Sequence, residues 1–148
     1  MNKHPYLRAY LAGICVPTIF LVVVATVFTI LRYVLDVPVP IERVIVFPMA
    51  FVPNLWGLWN IAFLLWRDKL HLSLGLHGAL LPFLLVPLGF LVTSLLHFSI
   101  PALATHILPF PKPALIAAFC ANGLAALIVY YLAWKYLVGF LNAELCIA

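Results

Sequence analysis

Between Arg8 and Arg32 the chain reads AYLAGICVPTIFLVVVATVFTIL, residues 9–31, 23 positions without a charge. An α-helix rises about 1.5 Å per residue, so this run can cross a hydrocarbon core of roughly 30 Å. Hydrocarbon offers a backbone no water to bond, and a helix satisfies its own amides. Lys3 and Arg8 ahead of an apolar run also suit a signal peptide. The run is longer than a signal peptide's apolar region, however, and no A-x-A cleavage site follows it. The segment is therefore expected to be retained as a first crossing helix.

Charges divide the rest of the chain in the same way. Arg43 to Arg67 encloses 23 uncharged residues, Lys69 to Lys112 encloses 42, and Lys112 to Lys135 encloses 22. The 42-residue interval ends in a stretch with Pro101, His106, Pro109 and Pro111, a poor spanning helix, so it is assigned one crossing. Helices are expected over about 9–34, 44–66, 72–98 and 114–141. Pro38 and Pro40 extend the first connection, Arg67–His71 reads as a tight charged turn, and residues 99–113 form an apolar outer loop lying in the interface. Ser99 and Pro101 would begin a short helix in that loop, ended before Pro109.

Composition agrees with this reading. Of 148 residues, 67% are hydrophobic and 8% charged, against about 25% charged in a soluble domain. The length suits one domain, residues 1–148. The expected fold is all-α: a polytopic membrane protein with a four-transmembrane-helix bundle. A net charge of +4, scattered and without a basic face, excludes nucleic-acid binding and leaves the lipid bilayer and other membrane helices as partners. Cys15, Cys120 and Cys146 are odd in number and form no C-x-x-C, so a disulfide framework is not expected. Compact size and short loops suggest a bacterial inner membrane. With the N-terminus inside, Lys3, Arg8, Arg67, Lys69 and Lys135 face Arg32, Arg43 and Lys112 across it, which favours N-in/C-in.

Membrane helices associate through small residues and polar contacts. The stripe Cys15, Thr18, Val22, Ala25, Thr29, Arg32 is thus the expected packing face of the first helix. Gly78, Pro82, Val86, Gly89, Thr93 and His97 mark the third, and Ala114, Ala118, Ala121 and Ala125 the fourth. Trp56, Trp59, Phe63 and Trp66 make an aromatic stripe on the second, with Asn60 one turn from Trp56.

Three polar features meet at mid-depth. Asn54 and Asn122 follow Arg43 and Lys112 by similar intervals, each about 15 Å along its helix. Pro87 deprives the Phe83 carbonyl of its amide partner. These groups define a candidate midplane polar site, or else contacts that only hold helices together. His77 and His97 share the third helix but lie about 30 Å apart, so they cannot clamp one haem. Thr93 and Ser94 neighbour His97, and His97 with His106 is a conceivable metal pair. His77 is read as a hydrogen-bonded packing histidine, with haem ligation across subunits as its sharper alternative.

Acids are peripheral, and no catalytic or phosphate-binding motif appears, so nothing argues for an enzyme, and no cofactor is predicted. The first functional expectation is a non-catalytic, oligomer-forming or accessory subunit of a membrane complex. A small oligomeric permease or channel using the midplane site is the alternative. A haem or redox membrane protein using His77 or His97 is a further one.

Overall fold

The computed structural model describes residues 4–37, 47–95 and 112–147, with side chains at 4–37, 50–89, 91 and 121–147. It is helical throughout, with no strand among the described residues. Helix α1 spans Pro5–Tyr33, α2 Phe47–Leu70, α3 Leu74–Ala79, α4 Leu81–Leu95 and α5 Lys112–Leu132. A π-helical turn, Ala133–Val138, carries α5 into α6, Gly139–Glu144. The expected helix within the 99–113 loop, His97 and His106 lie outside the described residues, as does the side chain of Thr93.

Three boundaries differ from the charge-based reading. Helix α2 runs on to Leu70, so Arg67, Asp68 and Lys69 form its last turn rather than a separate one. Cations are favourable at a helix C-terminus, and His71, with φ of 48°, ends the helix. Ser73 then caps α3, its Oγ accepting from Leu76 N at 3.4 Å.

The stretch expected as one helix over 72–98 breaks at Leu80. Pro82 has no amide hydrogen for the Gly78 carbonyl, and the chain tightens. Leu80 N donates to His77 O at 3.2 Å, and Phe83 N to Leu80 O at 3.1 Å.

The last helix continues past the expected 141 to Glu144, with Lys135 inside it. Beyond Glu144, Cys146 adopts φ of 52° and Ile147 N donates to Asn142 O at 2.8 Å, a left-handed helix stop that folds Ile147 inward.

Helices α1 and α2 pack antiparallel, Ala9 beside Asn60 and Gly13 beside Gly57. A Cβ on Gly13 would stand 2.6 Å from the Trp56 carbonyl oxygen and 2.8 Å from Gly57 Cα. Only glycines permit that crossing. Trp56, Leu81, Trp134 and Val138 form one core cluster, and Ala9, Ala12 and Ile147 another. Both lie toward the end of the molecule that holds the N-terminus of α1.

The expected seam on α1 is not its buried face. Ala9, Ala12, Gly13, Pro17 and Leu21 are buried instead. Thr18 and Thr29 bond back to the carbonyls of Ile14 and Ala25 in their own helix, at 2.6 and 2.7 Å, and so need no neighbour. Gly78 on the third stripe is buried, but Val86 is exposed and Gly89 faces open space. Ala121 and Ala125 are exposed as well.

Helix α1 and the continuous stretch Ala121–Glu144 are long and apolar enough to cross a membrane. Only 11% of the most apolar window of each is buried within the chain, unlike the core helix of a soluble protein. Helix α2 is diluted by Pro53, Asn54, Asn60 and its tryptophans, and α3–α4 is broken at Leu80.

Candidate functional site

The polar centre lies where α1, α2 and α6 meet. Asn60 is fully buried and Asn142 nearly so. Asn60 Nδ2 donates to Asn142 Oδ1 and to Ala9 O, both at 2.8 Å, and Asn142 Nδ2 returns a bond to Asn60 Oδ1 at 3.2 Å. The Ala9 carbonyl can only accept, which sets the orientation of the Asn60 amide, and that in turn sets Asn142. Three helices are tied by one pair of side chains.

Two arginines close the same end. Arg8 Nη1 donates to Leu145 O at 3.3 Å, and Arg67 Nη1 to Ile147 O at 3.4 Å. Both carbonyls lie at or just past the C-terminal end of the last helix, where a cation also opposes the helix dipole.

Above this centre stands His77, 2% exposed in an aromatic box. Its ring stacks on Trp59 at 4.7 Å between centroids, and Phe63, Trp134 and Trp66 surround it at 5.3, 6.0 and 6.5 Å. The contact is reciprocal: Trp59 Nε1 donates to His77 O at 2.8 Å, and His77 Nε2 to Trp59 O at 3.0 Å. A carbonyl accepts only, so Nε2 carries the hydrogen and Nδ1 alone remains for any ligand. At the Leu80 break, a neighbouring helix thus takes up the His77 carbonyl. Replacing His77 with leucine is expected to cost about 1–2 kcal/mol, measured by unfolding in mixed micelles, with His77→Gln recovering part of the loss.

Trp134 presses on Gly78, and its ring lies 5.4 Å from that of Trp56. Both indole N–H groups are buried without a hydrogen-bond partner among the described residues. The Tyr130 ring lies 5.2 Å from that of Trp56, tilted against it.

The remaining sequence candidates do not join this centre. Asn54 is exposed: its Oδ1 accepts from the Tyr10 hydroxyl, and its Nδ2 donates to Ala50 O in its own helix at 2.8 Å. Asn122 is exposed on α5, and the Phe83 side chain is 65% exposed on α4. The amide pair that the fold assembles is Asn60 with Asn142, not Asn54 with Asn122. Asn142 stands one residue beyond the expected helix end at 141. A continuing four-residue step, Trp134, Val138, Asn142, all buried, is the signal that reveals it.

A groove of about 290 Å³ between α1 and the last helix is lined by Cys15, Val16, Ile19, Leu137, Phe140 and Leu141, with almost no polar surface. Among the described residues, no group of three His, Cys, Asp or Glu is placed to hold a metal ion. No protein-family model, no curated protein and no solved structure matches the chain. The fold and site define an all-helical protein with membrane-length apolar helices and a buried amide pair.

Proposed function

We propose that the chain is an integral membrane protein whose helical stretches 5–33, 47–70, 74–95 and 112–144 each cross the bilayer. It serves there as a non-catalytic subunit that assembles with other membrane helices. The observation that carries this reading is the fate of its buried polar side chains. Asn60, His77 and Asn142 are all taken up by contacts between helices. Meanwhile the helix halves remote from the core turn apolar side chains outward. Val23, Val27 and Ile30 on α1, Val86 and Leu91 on α4, and Leu124 and Val129 on α5 are exposed. Lipid or neighbouring helices suit such surfaces.

A bacterial inner membrane with both ends inside remains the orientation proposed. With Lys135 withdrawn into the span, Lys3, Arg8, Arg67 and Lys69 mark the inner side, against Arg32, Arg43 and Lys112. Labelling of single cysteines in a cysteine-free background tests the four crossings. His4→Cys and Lys69→Cys are expected to react from one side of the membrane and Lys112→Cys from the other. Reaction of Lys69→Cys from the side opposite His4→Cys means that α2 does not cross. Reconstituted protein is expected to show no selective solute flux in liposomes. Flux abolished by Asn54→Leu or Asn122→Leu contradicts the subunit reading and supports a permease.

A further inference from the structure

Lys135 stands at a depth where a cation needs a partner. It follows Trp134, whose ring packs on Trp56. Trp56 precedes Arg67 by eleven residues, about 16 Å of helix. On its own helix nine residues, about 13 Å, separate Lys135 from Glu144. Taken as a crossing segment, Ala121–Glu144 therefore holds this lysine well inside it.

Its side chain is exposed on the surface of the chain. Helical side chains lean toward the helix N-terminus, here away from the nearer end of the bundle. The ammonium accordingly sits 5.7 Å from the Tyr131 ring, one turn back, and 5.2 Å from the Tyr136 ring. Two aromatic faces attract the cation but do not neutralise it. Among the described residues no carboxylate pairs with it. Leu124, Ile128 and Leu132, all exposed, continue the same face as an apolar strip.

An ionisable group at this depth is costly in lipid and is usually answered by an opposite one. On that basis, and resting on the subunit reading above, we propose that the Leu124–Ile128–Leu132–Lys135 face docks a transmembrane helix of a different protein. That helix carries a carboxyl side chain at membrane depth. A second copy of this chain does not supply the group. Asp36 and Glu42 belong to the connection between α1 and α2, and Asp68 and Glu144 to the last turns of their helices. An amine and a carboxyl group hydrogen-bond whether the proton lies on one or the other, so the pair is held together without a net charge in the hydrocarbon.

The test uses the full chain in phosphatidylcholine vesicles with a labelled polyleucine transmembrane helix bearing one central glutamate, read by resonance energy transfer. The glutamate helix is expected to bind about tenfold more tightly than its glutamine counterpart. Lys135→Met is expected to remove that preference and Lys135→Arg to keep it. Lys135 is exposed, so the methionine variant folds as the parent does. Equal binding of the two helices, or a preference that survives Lys135→Met, overturns the proposal. So does a Lys135-dependent binding of added phosphatidylglycerol with no preference among helices, which marks a lipid-phosphate site instead. In the native membrane, a hetero-assembly that persists in Lys135→Met sinks this inference while leaving the subunit reading intact. Absence of any assembly in the parent protein sinks the reading itself.

Discussion

Gly78→Ala is expected to destabilise the protein by about 3 kcal/mol, the cost of overpacking a core that cannot yield. An added Cβ would collide with Cγ, Cβ and Cδ1 of Trp134. These are the root of a side chain, not its flexible tip. Trp134 is itself fully enclosed, against Trp56, Leu81 and Val138. Any retreat pushes the indole into Trp56 or lifts α3 from the last helix, which also pulls His77 from the Trp59 carbonyl. Gly89→Ala provides the contrast on α4. Nothing lies within 4 Å of its new methyl group. That change should stabilise by about 0.5–1 kcal/mol through helix propensity alone. Unfolding of both variants in mixed micelles measures the difference. Equal effects would mean that α3 and the π-helical turn do not pack as described.

Asn60→Leu is expected to cost about 2 kcal/mol, because it strips the Asn142 amide of its partner inside the bundle. Asn142→Leu should cost nearly as much, and the double variant less than the sum. A double-mutant cycle is expected to give a coupling of about 1 kcal/mol. Asn54→Leu serves as the reference. Its amide is exposed and half satisfied by its own helix, so its loss should cost under about 1 kcal/mol. A strictly additive Asn60–Asn142 pair would remove the amide contact from the account of what joins α1, α2 and α6.

How far the sequence discloses this arrangement depends on which physical signal each residue carries. Helix α1 is legible because a 23-residue uncharged run admits one solution in lipid. The aromatic stripe of α2 is legible too, because Trp56, Trp59 and Phe63 recur at helical spacing and do pack inward. The threonine stripe of α1 misleads. A hydroxyl that can bond to the carbonyl four residues back gives no information about a neighbouring helix. Charge is a sound ruler only where charges sit at membrane edges. Lys135 lies within the last helix, and closing that helix at 141 leaves out Asn142, the partner that makes Asn60 intelligible. The break at Leu80 follows from Pro82, yet which neighbour reaches the His77 carbonyl depends on where Trp59 lies. That is a tertiary fact with no local signature.

The most direct measurement is native mass spectrometry of the protein released gently from its own membrane. The account predicts the 16.5 kDa chain inside a heavier assembly that includes a second, different membrane protein. Clean multiples of the chain mass would keep the subunit reading and remove the Lys135 partner. A lone 16.5 kDa species would contradict the central claim.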